Sequence, residues 1–217
     1  MLFATLMAAA AVVAAEPATS TGGWVTPDEY PRAALQEGRS GVVQYRLSIS
    51  PQGKPIGCAI EMSSGHKDLD DVTCALLMRR ASFDPARDSA GAPAYGAFRI
   101  ASIWWTGDGE PPAVPLLREV ETNVARLPED LESPIIASAA VLVGADGAVS
   151  DCVPMRTQPT VPRNSPKGKE QQRVVSLLGK QACEQATAQW RPAPVVDANG
   201  APVASIQTAR VLFRTGP

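Results

Sequence analysis

The chain has 217 residues, room for one large domain or two small ones, and its 45% hydrophobic and 19% charged content is ordinary for a globular protein. A net charge of −2, with 20 basic residues spread along the chain, lacks the electrostatic footprint of nucleic-acid binding. It implies neither a strongly acidic nor a strongly basic partner.

Met1 to Ala15 carries no charge and ends in Val13-Ala14-Ala15 before Glu16-Pro17. That is the apolar core and small-residue cleavage region of a secretory signal, so export with a cut near Ala15 is expected. The stretch falls short of the roughly 20 apolar residues of a membrane span, although residual anchoring stays open. Residues 16–23 read as a short linker. A short helix is predicted next, with Pro31 in its first turn and Gly38 as its stop.

Val43, Tyr45, Leu47 and Ile49 alternate with Gln44, Arg46 and Ser48, the pattern of a half-buried strand. After the Pro51-Gln52-Gly53 turn, Ile56, Cys58, Ile60 and Met62 alternate again, which predicts a hairpin with Cys58 on its apolar face. A helix follows with Asp68 as its expected N-cap. Asp70 and Asp71 suit its positive end, Arg79 and Arg80 suit its negative end, and Leu69, Val72, Thr73 and Leu76 form the buried stripe. Ala94 to Trp105 reads as a third strand. The linker at 106–126 is proline-rich at first, and its part from Leu116 to Arg126 is open to a helix.

Residues 135–213 repeat the order of features in 41–105. Ile135 to Val143 answers the first strand, and Gly144-Ala145-Asp146-Gly147 answers the turn. Cys152 stands five residues beyond its turn glycine, as Cys58 does. Further on, Trp190-Arg191-Pro192-Ala193 answers Phe83-Asp84-Pro85-Ala86, and Asp197 to Pro202 answers Asp88 to Pro93. The expected fold is therefore α+β, two tandem modules at 24–105 and 127–217, each a three-stranded antiparallel sheet with packed helices. The second carries an insertion, Thr157 to Gln172, read as an exposed loop for its prolines.

The first module resembles the C-terminal domain of TonB-family proteins. The resemblance rests on Tyr30-Pro31-x-x-Ala34, Gly41-x-Val43, the Gly53 turn, Ser63-Ser64-Gly65, Leu69-Asp70, Phe83-x-Pro85-Ala86 and Gly91-x-Pro93. The second module lacks the Ser-Ser-Gly and Leu-Asp pieces and resembles a degenerate copy. The resemblance implies a small antiparallel sheet with helices on one side, in the periplasm. It further implies grip on an outer-membrane receptor, whose short segment joins the sheet as an added strand, in the service of transport across the outer membrane. Energy transducers of the family carry an N-terminal membrane helix and a long Pro-rich span. The short apolar stretch here, without an extended Pro/Lys or Pro/Glu tract, leaves the binding half of that role as the expectation.

Four cysteines in an exported chain point to disulfides, with three pairings open. The repeat favours Cys58–Cys74 and Cys152–Cys183, each tying strand to helix within one module. No C-x-x-C occurs and there is one histidine, so neither metal nor cofactor is expected. Ser63 and Ser64 beside His66 suggest a hydrolase, but neighbours in one turn rarely let a base reach a hydroxyl. A framework turn is the plainer reading, and no enzyme is expected. Partner contact is expected along the last strand of the first module, at Phe98, Ile100, Trp104 and Trp105, where an edge offers unpaired backbone groups. The alternative is structural: the modules pair with each other, or two copies dimerise, through those edges.

Overall fold

A computed structural model of the chain describes residues 11–127, 133–155 and 169–215. Met1 to Ala10 of the apolar leader lie outside them. Ahead of the first sheet come β1 (Glu16–Pro17), two 3-10 turns at Thr21–Gly23 and Pro27–Glu29, and the short helix α1 (Arg32–Gln36).

Strands β2 (Gly41–Ile49) and β3 (Pro55–Met62) pair antiparallel as the alternation predicts. Their turn closes through Ser50 N–H donating to Lys54 O at 2.8 Å and Gly53 N–H donating to Ser50 O at 2.9 Å. Gly53 has φ +73°, and a Cβ there would meet the Phe83 carbonyl oxygen at 2.0 Å, so only glycine serves. Helix α2 (Lys67–Arg80) begins slightly earlier than expected, with His66 as its N-cap. Asp68 instead lies inside the first turn and pairs with Arg39 at 3.0 Å. Leu69, Thr73, Leu76 and Leu77 are buried, and Val72 is partly so. After β4 (Phe83–Asp84) and β5 (Ala86–Arg87), strand β6 (Pro93–Trp104) runs antiparallel along β2, from Gly41 opposite Trp104 to Ile49 opposite Gly96.

The linker segment that sequence left open to a helix is instead strand β7 (Val120–Val124). Its Val120-x-Thr122-x-Val124 alternation is the stronger local signal, and a neighbouring strand is there to pair with it. In the second half, β8 (Ile135–Val143) and β9 (Val149–Pro154) form a hairpin. Its turn repeats the first: Gly144 N–H donates to Ala148 O and Gly147 N–H to Gly144 O. Helix α3 (Lys169–Gln189) takes in the last residues of the expected Thr157–Gln172 loop, of which 157–168 lie outside the described residues. Val174, Leu178, Ala182, Ala186 and Trp190 recur every fourth residue, a stripe buried on the sheet. Gly179 admits close approach to β9, since a Cβ there would meet Pro154 Cβ at 2.6 Å. A small hairpin, β10 (Val195–Val196) with β11 (Pro202–Val203), leads into the last strand, β12 (Ser205–Thr215).

Eight strands drawn from both halves form one sheet, in the order β3-β2-β6-β12-β8-β9, with β5 also on β6 and β7 also on β12, while β1 with β4 and β10 with β11 form separate pairs. Strands β3, β2 and β6 pair antiparallel, as do β12, β8 and β9. The junction is parallel and short: Tyr95 opposite Ser205 and Gly96 opposite Ile206. Beyond it β6 and β12 diverge, and β7 pairs parallel with Val211–Thr215.

Two cores result. Ile206 and Ala140 join the core of α2, whereas Ala209 and Val141 join the core of α3. Because neighbouring strand residues face opposite ways, the two helices cover opposite faces of the shared sheet.

Of the expected leader and linker, the described residues from 11 on pack onto the first core, and so does Trp24, the first residue of the expected module. Val12, Ala14 and Ala15 are buried, β1 pairs with β4, and Trp24 is buried against Phe83 and Phe98.

Candidate partner-binding edge

Strand β6 was expected to offer an edge, and its two sides differ along its length. One side is taken by β2 throughout. On the other, β5 pairs with Pro93 and Ala94, and β12 pairs with Tyr95 and Gly96. From Ala97 to Trp104 no described strand pairs with β6 on that second side.

The four expected contact residues do not share one surface. Phe98 and Ile100 pack against the first core, with Phe98 5.3 Å from Phe83 between ring centroids. Trp104 is buried, donates Nε1–H to Thr73 Oγ1 at 2.8 Å and meets Tyr30 edge to face. Each is held inward because even-numbered positions of β6 face α2. The expectation therefore narrows to Trp105, which is exposed and donates Nε1–H to Asp108 O at 3.0 Å. Ile103 is half exposed and was missed; its place one residue before a buried tryptophan in an alternating strand is the signal that could have found it.

The gap where β6 and β12 diverge is bridged by charge. Glu119, just before β7, is 5% exposed and accepts the backbone N–H of Arg210. Its carboxylate also lies 3.4 Å from Arg210 Nη1 and 3.7 Å from Arg99 Nη1. Arg210 Nη2 donates to the Arg99 carbonyl at 2.9 Å, Arg99 pairs with Glu61, and the Arg99 guanidinium stacks 5.5 Å above the Trp190 ring. Burial pushes the Glu119 carboxyl above the ordinary carboxylate range, with Arg210 and Arg99 pulling the other way. Burial likewise lowers the pKa of Arg46, which shares this face. A cavity of about 550 Å³ opens beside the network, lined among others by Gln44, Leu116, Arg118 and Glu121.

The serine cluster is structural in its geometry. Ser63 Oγ donates to Asp70 Oδ2 at 2.6 Å, and Ser64 donates to Asp70 Oδ1 from both Oγ and its backbone N–H. Ser64 and His66 meet through the His66 backbone. Burial opposes ionisation of Asp70, but the serine hydrogen bonds outweigh it and hold the carboxyl below its usual range. These bonds pin the β3–α2 turn to the helix N-terminus, where an anion is stabilised.

Both disulfides favoured by the repeat are formed, Cys58–Cys74 and Cys152–Cys183, with Cα separations of 5.7 and 5.6 Å. Among the described residues no group of three or more His, Cys, Asp or Glu could hold a metal ion, and no helix is long and apolar enough to cross a membrane.

Comparison with curated proteins and with solved structures gives no match. Residues 26–101, which run from just ahead of the second 3-10 turn to Ala101 of β6, match the family model of the Gram-negative bacterial TonB protein C-terminal domain, and it is to that domain that the first half of the chain is similar.

Proposed function

We propose that the protein is a non-enzymatic periplasmic binding protein of the TonB C-terminal type, with its second half a diverged copy of the first. It takes an extended segment of a protein partner, an outer-membrane receptor foremost, by strand addition on the second side of β6 between Ala101 and Trp104. The observation that carries this reading is the uneven pairing of the second side of β6, filled through Gly96 and, among the described residues, without a strand partner after it. The two outer edges of the sheet are poorer templates. Strand β3 opens with Pro55, carries Glu61 and has two irregularities in its pairing with β2, while β9 carries Asp151 and ends on Pro154. Exposed Ile103 and Trp105 supply side-chain contact beside the open backbone.

The test is backbone amide NMR of the full oxidised chain, titrated with peptides from the periplasm-facing segments of outer-membrane receptors. Shifts confined to Ala101–Trp105 and their β2 partners Gly41–Gln44 are expected. Shifts confined to β3 or β9 would move the site, and none with any peptide would refute it. A second reading, that the two halves pair to leave no free site, is favoured by the β6–β12 junction itself. It predicts amides from Ala101 to Trp104 as slow to exchange as those of β2.

A further inference from the structure

We propose that Val12–Pro17 is a permanent strand of the folded protein, seated in a groove beside β4 and β5, and that any leader cut therefore falls ahead of Val12. The hydrogen bonding is an antiparallel bridge at Val13 followed by the two-residue strand β1, both against the same stretch of chain. Val13 N–H donates to Arg87 O and Arg87 N–H donates to Val13 O, both at 2.9 Å. Glu16 stands opposite Asp84 and Pro17 opposite Phe83, and Ala18 N–H donates to Ser82 O at 2.9 Å. The segment thus follows the whole stretch from Ser82 to Arg87, which by itself is two short strands broken at Pro85.

Side chains agree with the backbone. Val12, Ala14 and Ala15 are 3 to 4% exposed and belong to the first core, while Val13 between them is 48% exposed. The groove is cut for small residues. A Cβ added at Gly96 would meet Ala15 Cβ at 3.1 Å and Ala86 Cβ at 3.2 Å, and Gly96 is also where β6 joins β12. The occupant of the groove therefore sits beside the junction of the two halves. A cut after Ala15, which the small residues Val13-Ala14-Ala15 suggest, would strip Val12, Ala14 and Ala15 from the core and both Val13–Arg87 bonds from the backbone.

This inference uses the export reading only for the existence of a cut; the groove itself does not depend on it. Two measurements test it. Intact mass of the oxidised protein recovered from the envelope fraction is expected to include Val12–Ala15. A folded, doubly disulfide-bonded species beginning between Val13 and Glu16 overturns the proposal. Hydrogen exchange on the full chain is expected to show the Val13 and Arg87 amides protected like those of β2. Exchange at the rate of the Gly107–Gly109 segment overturns it whatever the cellular location. Recovery of an uncut chain from the cytosol would refute export and leave the strand standing.

Discussion

The two halves share a strand frame and differ in what fills it. The first core is aromatic, with Trp24, Phe83 and Phe98 in mutual ring contact and Tyr30 against Trp104, over a 14-residue helix. Among the described residues the second holds only two aromatics, Trp190 and Phe213, amid aliphatic and alanine side chains packed with a 21-residue helix. Small side chains bring a longer helix close to the sheet, as the Gly179–Pro154 approach shows. With fewer large rings to bury, the second half depends more on cross-links and on its neighbour. One frame has thus been stabilised in two ways.

Removing the cross-links one at a time sharpens that comparison most. The Cys152–Cys183 bridge closes a separation of 31 residues and Cys58–Cys74 one of 16. In the chain-entropy picture, Cys152→Ala with Cys183→Ala costs about 4 kcal/mol and Cys58→Ala with Cys74→Ala about 3 kcal/mol. Urea unfolding of the two double variants is the measurement. An equal loss, or a larger one for the first bridge, would remove the claim that the second core leans harder on its disulfide.

The next effect concerns the seam. Glu119→Ala leaves the partly buried guanidinium groups of Arg99 and Arg210 without their shared carboxylate and is expected to cost about 3 kcal/mol. Unfolding followed separately by Trp104 on one side and Trp190 on the other is expected to split into two transitions. A single transition at the wild-type midpoint would mean that the β6–β12 pairing alone holds the halves together. Because burial raises the Glu119 pKa, the folded chain holds this proton more tightly than the unfolded one. That proton-linked stability, distinct from the ion pair, is complete below the ordinary carboxylate pKa. It is lost as pH rises through the raised value.

Much of the frame was legible because it is written in local signals. The alternation of Val43–Ile49 and the paired turn glycines fixed two hairpins. The Asp88 and Asp197 turns close with the same pair of bonds, Asp N–H to the fourth residue on and Gly N–H back to the Asp carbonyl. The spacing from turn to cysteine placed both bridges. What was hidden was long-range. Parallel pairing of Tyr95–Gly96 with Ser205–Ile206 involves strands over a hundred residues apart, and neither carries a mark of its partner. Nor does an apolar, small-residue N-terminus distinguish a leader from a buried strand, since both need the same side chains. The candidate site was half legible: alternation located β6, but its inward face had to be seen before Phe98, Ile100 and Trp104 could be separated from Ile103 and Trp105.

The smallest effect comes from acid, and its largest single shift lies in the first half. Glu29 accepts from the Arg80 guanidinium and from Thr26, which together hold its pKa down to about 2 against an ordinary 4.5. That ties the 3-10 turn before α1 to the end of α2. A carboxyl depressed in the folded state contributes stability above its unfolded pKa and loses it as pH falls through the folded one, here from about 4.5 to about 2. Asp70 acts in the same direction at the other end of α2, as do Glu121 and Asp197 in the second half, whereas the proton linkage of Glu119 runs the opposite way. The deepest depression is that of Glu29, so the acid loss is expected to be largest in the first half. Glu29→Gln is expected to flatten the fall in urea midpoint between pH 4.5 and 2, leaving the midpoint near neutrality lowered only slightly, because the pair is exposed and screened. Were Trp190 to report the acid transition before Trp104, the weaker half in acid would be the second, and the weak point would lie at the α3 end of the sheet rather than at Glu29.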